Sequence, residues 1–426
     1  MKTLIRGGHL IDPKTSRDGI YDILIEDSVI REVSDAIRKT DGKTQVVDAS
    51  GCIVAPGLID VHCHLREPGF EYKETILTGT SAAVRGGFTT IVCMANTDPV
   101  NDSRSVTEFI IDKARTEGKC KVLPCGAITR GLKGEELAEI GEMFSAGIIA
   151  ISDDGRSVRN AGLMRKALEY AKTFKIPVIS HCEDTMLSGG YVHEGTASLL
   201  NGLEGIPAIA EELMVQRDIA IARYVDAPIH ITHISTGGSV DIIQTARKTF
   251  RKVACDTCPH YFSLTDEATL TFDTNTKVNP PLRSGKDVEA IKEGLRKGVI
   301  DIIATDHAPH EYTSKDVEFD LATFGISGFE TAFALSLNLV REGVLDMAEL
   351  LKKMTANPAK LLGVDSGTIA EGAPADIIIF DPDREWTVDR NLFLSKGKNT
   401  PFHGAALRGR NLFTMVDGKI MFNELK

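Results

Sequence analysis

The sequence lacks any apolar run long enough to cross a membrane, and Arg6 with a glycine pair interrupts its start before a signal-length stretch forms. It is also short of positive charge: 49 lysines and arginines against 60 aspartates and glutamates give a net charge of −11. Nucleic-acid binding needs clustered positive charge, so this balance opposes it. We therefore expect a cytoplasmic protein with a small-molecule substrate, and neither a membrane nor a nucleic acid as a partner.

Motifs that bind nucleotides or build disulfide frameworks are missing as well. No GxGxxG follows a first strand, and no GxxxxGK[ST] loop occurs. Eight cysteines in 426 residues are too few for a dense disulfide framework. Cys255 and Cys258 form a lone CxxC without a second pair, which favours packing in the core over metal binding.

What is present is a repeated alternation of short apolar runs with helical periodicity. With 42% hydrophobic residues the chain can bury a large core, with room for a second, smaller unit. Strands followed by crossover helices form parallel sheets, and eight such repeats predict a (β/α)8 barrel; an open doubly wound sheet is the alternative. The predicted barrel strands are residues 53–60, 89–94, 121–127, 148–152, 177–180, 228–232, 252–256 and 301–304.

The two ends of the chain have a different pattern. Residues 1–52 and 366–426 contain short alternating segments separated by Asp and Gly turns, without long helices. We predict a small β-sandwich domain formed by both termini, with the barrel of residues 53–365 inserted between them.

Histidines and aspartates follow several of the predicted barrel strands. The carboxyl ends of barrel strands surround the reaction site in this fold. His62 and His64 are two residues apart, so both imidazoles lie on one face of a strand and can share an ion. Taken alone, this pair is equally consistent with a structural role. Similar residues follow other strands, namely Asp153, Asp154, His181, His233, Asp306, His307 and His310.

The number of these groups favours two metal ions over one. Four histidines and two carboxylates exceed the ligands of one tetrahedral ion, so a two-metal site with a bridging carboxylate is the simplest interpretation. Zinc suits imidazole and carboxylate ligands best, although manganese, cobalt or iron would also be accepted.

Five motifs carry a family resemblance that runs nearly end to end. They are DVHCHLREPG (60–69), MANT (94–97), KVNPPLR (277–283), ATDHAPH (304–310, followed by Lys315) and GISGFET (325–331). With them the sequence resembles the amidohydrolases, and within these the dihydroorotase family of the long, two-domain bacterial type. Ala95 departs from the family pattern, which has proline at that position.

The resemblance implies which residues would hold two zinc ions. His62, His64, Asp154 and Asp306 would hold one ion, and His181, His233 and a shared Asp154 the other. Asp154 would stand where many relatives have a carboxylated lysine. Asp153 is the open alternative for that position.

The resemblance also implies an activity. It is the reversible hydrolysis of (S)-dihydroorotate to N-carbamoyl-L-aspartate in de novo pyrimidine (UMP) biosynthesis, by a hydroxide shared between the two ions. Asp306 would act as general base and then acid. Arg66 would form a fork on the ring carboxylate. The other implied substrate contacts are Asn96 and His310 for the carboxylate, Asn279 with the backbone of Phe324 and Gly325 for the pyrimidine edge, and His64.

Two other functions remain alternatives. A sister cyclic amidase, allantoinase or dihydropyrimidinase, would share the metals, but Arg66 with Asn96 opposes it because those substrates lack the ring carboxylate. An inactive scaffold beside aspartate carbamoyltransferase is opposed by the complete ligand set. A homodimer is expected, possible association with that enzyme is left open, and residues 310–325 are either a mobile loop over the substrate or an ordinary solvated loop.

Overall fold

The computed structural model describes residues 2–38 and 42–425. The strands found there are β1 (Lys2–Asp12), β2 (Arg17–Glu26), β3 (Val29–Ser34), β4 (Gln45–Asp48), β5 (Ile53–Pro56), β6 (Leu58–Cys63), β7 (Phe88–Cys93), β8 (Lys121–Gly126), β9 (Ala150–Ile151), β10 (Val178–Ser180), β11 (Val192–His193), β12 (Gly205–Ile206), β13 (Ile229–Ile231), β14 (Val253–Thr257), β15 (Ile302–Ile303), β16 (Ile377–Thr387), β17 (Ala406–Val416) and β18 (Lys419–Asn423).

The α-helices of the same residues lie mostly between barrel strands. They are α1 (Ile76–Gly86), α2 (Arg104–Glu117), α3 (Ile140–Ala146), α4 (Ala161–Phe174), α5 (Thr196–Asn201), α6 (Ile209–Val225), α7 (Gly237–Ala246), α8 (Pro259–Ser263), α9 (Gly285–Arg296), α10 (Phe329–Arg341), α11 (Met347–Met354) and α12 (Ala356–Leu362). Within the two described ranges, no helix combines the length and the apolar character that crossing a membrane requires.

Eight parallel strands form the barrel. Their order is β6-β7-β8-β9-β10-β13-β14-β15, and a bridge between Cys63 and His307 brings the two outer strands together. All residues of β6 and β7 are buried, as expected of strands covered on both faces, and this burial explains their continuous apolar character. The predicted (β/α)8 barrel is confirmed.

The predicted first strand, residues 53–60, is wrong as a single element. Its first part is β5, which pairs with β1 and β16 in the sheet of the termini, and the barrel begins only at β6. The chain changes sheets at Gly57, where a Cβ would lie 2.2 Å from Thr89 Cγ2. Both strands are buried, so the apolar pattern continues across this change. The division of the chain after residues 52 and 365 stays a prediction.

The two ends of the chain form one sheet, which we call the terminal sheet. Its order is β18-β17-β16-β5-β1-β2-β3, with β4 on β1. The sheet curls so that β3 approaches the segment just before β16, where Ile30 N donates a hydrogen bond to Ala373 O (3.0 Å). Its core includes Ile5, Ile23 and Phe413, all fully buried. The predicted β unit built from both termini is confirmed.

Candidate metal centre

The residues predicted to bind metal come together at the carboxyl end of the barrel. His62 lies in β6 and His64 just after it, His181 follows β10, and His233 follows β13. Asp154 and Asp306 follow β9 and β15, and all six side chains are buried. The parallel barrel is the reason for this meeting, because it directs all strand ends to one mouth.

Asp154 lies at the centre of the cluster and faces both pairs of histidines. Its Oδ2 is 3.1 Å from His62 Nε2 and 3.4 Å from His64 Nε2. Its Oδ1 is 3.3 Å from His233 Nε2 and 3.5 Å from His181 Nδ1. Each carboxylate oxygen therefore serves one pair, which is the arrangement expected of a ligand shared by two ions.

Asp306 approaches the first pair from β15. Its Oδ1 is 3.1 Å from His64 Nε2 and 3.6 Å from His62 Nε2. The backbone of Asp306 is left-handed (φ 45°), a conformation that is unfavourable for a residue with a side chain and that occurs often at functional sites. Asp60 in β6 accepts hydrogen bonds from Thr305 N (2.9 Å) and Thr305 Oγ1 (2.7 Å), which fixes the chain just before Asp306.

The donor set fits metal ions. His62 Nε2 is buried and makes no well-directed hydrogen bond to the described residues. The ligand atoms of His62, Asp154 and His233 lie within 4.8 Å of one another, and so do those of His62, His64 and Asp306. Zinc and similar ions bind to imidazole nitrogens and carboxylate oxygens that converge on one point, as these do.

The charges of the cluster are strongly coupled. Burial lowers the pKa of His62, but Asp154 and Asp306 outweigh this and raise it to about 9. Burial raises the pKa of Asp306, but the hydrogen bond to His64 and the charge of His62 outweigh this and lower it to about 2. Without an ion, imidazolium and carboxylate charges balance each other. A metal ion would replace the imidazolium protons.

A second layer of hydrogen bonds fixes the orientation of the rings. His62 Nδ1 donates to Thr232 Oγ1 (2.7 Å), which donates to Asp256 Oδ2 (3.0 Å). His64 Nδ1 donates to Asn96 Oδ1 (2.9 Å). Such contacts leave the other ring nitrogen free for an ion. Sequence analysis missed Thr232 and Asp256, although both end predicted strands.

A cavity of about 580 Å³ opens above the cluster. It is lined by all the residues predicted to contact substrate, which are His64, Arg66, Asn96, Asn279, His310, Phe324 and Gly325. Lys73 and Arg156 line it too, and sequence analysis missed them because neither belongs to a ligand-like pattern. Position 325 accepts only glycine without strain, because its φ is 140° and a Cβ there would lie 2.7 Å from Ala308 O.

Arg66 is a partly buried cation on the wall of this cavity. Its Nε donates to Pro309 O (3.3 Å), and its Nη2 lies 3.3 Å from His310 Nε2. Burial lowers the pKa of Arg66 to about 10, so it is charged at neutral pH. Among residues 2–38 and 42–425, no ion pair joins Arg66 to a carboxylate. The guanidinium therefore has room for an anionic group of a ligand.

His310 beside Arg66 is an uncharged ring. Burial and the charge of Arg66 hold the pKa of His310 well below its usual range. Its Nε2 donates to Phe324 O (2.8 Å), and its buried Nδ1 has no hydrogen-bond partner among the described residues. The segment 310–325 is held by two buried lysines: Lys315 Nζ donates to Thr323 O (2.6 Å), and Lys277 Nζ to Phe319 O (2.8 Å). Whether this segment moves stays a prediction.

Sequence comparisons agree with this geometry. A family model described as Dihydro-orotase-like matches residues 51–239, and one described as Amidohydrolase family matches residues 188–422. A dihydroorotase of Acetivibrio thermocellus is 54% identical over 99% of this chain and 99% of its own. One of Geobacter metallireducens is 52% identical over 99% of this chain and 100% of its own.

The chain belongs to the dihydroorotase family. The resemblance seen in the sequence is thereby confirmed, and family membership together with the two ligand groups indicates an enzyme that uses metal. Two solved structures share the fold of this dihydroorotase-family chain at 24% identity. An L-hydantoinase (dihydropyrimidinase) from Arthrobacter aurescens has a TM-score of 0.89, covering 100% of this chain and 96% of its own. A dihydropyrimidinase from Brevibacillus agri NCHU1002 has a TM-score of 0.87, covering 100% and 95%.

Proposed function

We propose that the protein is a dihydroorotase that interconverts (S)-dihydroorotate and N-carbamoyl-L-aspartate in de novo pyrimidine biosynthesis. The observation that carries this proposal is the partly buried Arg66 guanidinium, which no described carboxylate pairs with, on the wall of the cavity that holds the histidine and aspartate cluster. A cation beside the proposed metal ligands can bind the carboxylate of a cyclic amide while the amide lies at the metal ions. Allantoin and dihydrouracil carry no such group.

The metal part of the proposal is two zinc ions per chain. His62, His64, Asp154 and Asp306 would hold one, and His181, His233 and Asp154 the other. When bound, such ions provide a nucleophilic water at neutral pH and polarise the amide carbonyl. The two-sided contacts of Asp154 support its role as the shared ligand.

Asp306 is the proposed acid–base residue. The Asp306 carboxylate is buried beside the histidines and faces the cavity, so it can accept a proton from the attacking water. The same carboxyl then delivers that proton to the departing ring nitrogen. It lines the cavity beside the histidines, so both transfers take place at one position.

Three side chains would bind the ring carboxylate. Arg66 provides the charge. Asn96 Oδ1 already accepts from His64, so the Asn96 amide nitrogen is the part that remains to donate to the substrate. His310 would meet the carboxylate through its Nε2–H, which here donates to Phe324 O (2.8 Å), because the Nδ1 of an uncharged ring protonated at Nε2 can only accept. His64 lines the same wall.

The opposite edge of the ring would meet Asn279 and the backbone at Phe324 and Gly325. Asn279 Oδ1 is buried and unpaired among the described residues, so it can accept from a ring N–H. The Gly325 amide donates to Lys277 O (2.9 Å), and the carbonyls of Phe324 and Gly325 each accept one hydrogen bond, from His310 Nε2 (2.8 Å) and Asn399 Nδ2 (2.9 Å). A carbonyl oxygen has two lone pairs and can accept a second hydrogen bond.

Parallel assays of three cyclic amides test the activity. The zinc-loaded protein is incubated with dihydroorotate, allantoin and dihydrouracil, and ring opening is followed in each. We expect turnover of dihydroorotate, abolished by Asp306→Asn. Turnover of allantoin or dihydrouracil without dihydroorotate would contradict the proposal and favour a sister amidase.

Assembly and location are proposed more broadly. We expect a cytoplasmic homodimer, with association to aspartate carbamoyltransferase as an open possibility in the family. Light scattering measures the mass of the purified protein alone, which tests the dimer, and its mass when mixed with that enzyme, which tests the association. A monomer would contradict the expected homodimer, and a rise in mass on mixing would show association with the second enzyme.

A further inference from the structure

Glu183 lies next to the metal cluster but belongs to neither the proposed ligands nor the proposed substrate contacts. It is two residues beyond His181, in the loop after β10. Ser157 fixes this short stretch, because its hydroxyl donates to His181 O (2.8 Å) and accepts from Glu183 N (2.9 Å). The position of the Glu183 side chain is therefore set by the barrel mouth itself.

One oxygen of Glu183 contacts two functional side chains. Glu183 Oε2 is 3.2 Å from His181 Nε2 and 3.2 Å from Asn279 Nδ2. An ionised carboxylate only accepts hydrogen bonds, so both partners must present a donor to it. His181 therefore carries its proton on Nε2, and Asn279 turns its amide nitrogen to Glu183.

For His181, this contact decides which ring nitrogen faces the metal cluster. With Nε2 donating to Glu183, the lone pair of Nδ1 is directed at the cluster, 2.9 Å from His233 Nε2 and 3.5 Å from Asp154 Oδ1. A carboxylate behind a ligating histidine also makes that histidine a stronger ligand.

For Asn279, the contact decides which end of the amide faces the cavity. With Nδ2 bound by Glu183, the unpaired Oδ1 is the end left for the ligand. Turning the amide over would place Oδ1 against Glu183 Oε2, two acceptors without a proton between them. The Oδ1 end can only accept, so at this end Asn279 selects a ring N–H over a ring carbonyl.

We propose that Glu183 is a positioning residue that fixes His181 as a metal ligand and Asn279 as the acceptor for a substrate N–H. One carboxylate thereby links ion binding to substrate recognition. The Asn279 part rests on the proposed function, whereas the His181 part needs only a metal ion.

Zinc binding without substrate tests the His181 part. The metal-free Glu183→Leu protein is titrated with zinc against a chromophoric chelator. Leucine is close to glutamate in size but accepts neither of the two hydrogen bonds at Glu183 Oε2, so we expect the weaker of two zinc equivalents to lose about tenfold to a hundredfold in affinity. The matched control is Asp184→Asn, because within residues 2–38 and 42–425 the Asp184 carboxylate accepts only from the local Met186 N (2.9 Å). This variant should bind zinc as the unchanged protein does.

Steady-state kinetics on dihydroorotate at saturating zinc test the Asn279 part. Glu183→Leu should raise KM about tenfold with a smaller change in kcat, and should add nothing further to KM in an Asn279→Ala background. Zinc affinity within twofold of the unchanged protein, or an equal KM increase in both backgrounds, would overturn the proposal. If the unchanged protein does not open dihydroorotate, the proposed function fails, while the zinc titration still decides the role of Glu183 behind His181.

Discussion

Asp153 and Asp154 are neighbours in the chain, and their carboxylates face different partners. Asp154 directs one oxygen to each histidine pair. Asp153 Oδ1 accepts from Ile128 N (2.8 Å) and Thr129 N (2.9 Å), and its other oxygen accepts from the Thr129 hydroxyl. Asp153 thereby ties the loop after β8 to the loop after β9, whereas the Asp154 carboxylate is the one that faces the histidines.

Substituting each aspartate separately should separate these roles. Asp154→Asn should reduce bound zinc from two ions to at most one per chain and lower kcat/KM at least about a hundredfold, because neutral Asn is a poor bridging ligand. Asp153→Asn should keep both ions and lower the free energy of unfolding by about 1–3 kcal/mol. Metal analysis and thermal unfolding measure the two effects. Equal zinc loss in both variants would contradict this assignment.

The sequence predicts those parts of the molecule that depend on local pattern. Buried parallel strands read as apolar runs, so seven of the predicted barrel strands overlap β7, β8, β9, β10, β13, β14 and β15. The same rule fails at Gly57, because β5 and β6 are both buried and the chain changes sheets without a polar residue.

The site shows a similar division. Metal-type side chains at strand ends stand out because they interrupt apolar runs, which is how His181 and His233 were found. Glu183 and Asp256 act through other residues over contacts that no spacing rule describes, such as the hydrogen bond from His181 Nε2 to Glu183. The choice between Asp153 and Asp154 likewise needs the direction of each side chain, which sequence does not provide.

Arg66 should control recognition of the substrate carboxylate without affecting the metals. Arg66→Ala should raise KM for dihydroorotate about thirtyfold or more, corresponding to about 2 kcal/mol for a charge-assisted contact. Arg66→Lys should recover only part of this, because an ammonium lacks the planar fork. Both variants should retain full zinc content.

Dihydrouracil provides a control for the Arg66 variants. It lacks the ring carboxylate, so any residual turnover of this compound should be unchanged by Arg66→Ala. An equal loss on both compounds would indicate a general disturbance of the site and remove Arg66 from carboxylate recognition.

Lys315 should hold the segment 310–325 in place. Its buried ammonium donates to Thr323 O (2.6 Å) and Thr274 O (2.9 Å), so Lys315→Met leaves these carbonyls without a donor. We expect faster amide hydrogen exchange across the segment and a severalfold higher KM, since Phe324 and Gly325 line the cavity. Exposed Lys352 in α11 provides the control, and Lys352→Met should change neither quantity. Unchanged exchange in Lys315→Met would show that the segment is held by other contacts.

Glu330, which lies outside the metal centre, should make the free energy of unfolding depend on pH. Its carboxylate, at the start of α10, accepts from Leu394 N (3.0 Å) and lies 3.4 Å from Arg85 Nη1. Burial raises the pKa of Glu330 to about 7, from 4.5 in an unfolded chain. Between these values the folded state keeps a proton that the unfolded state has lost, so stability falls as pH rises from 4.5 to 7.

The difference between Glu330→Gln and the unchanged protein isolates this effect, because other titrating groups cancel. Glutamine does not titrate, so the variant should gain relative stability through the window by at most about 3 kcal/mol, with a constant difference below pH 4.5 and above pH 7. Denaturant unfolding at a series of pH values measures it. A difference that is flat through the window would mean that the hydrogen bond from Leu394 and the charge of Arg85 together offset the burial of Glu330.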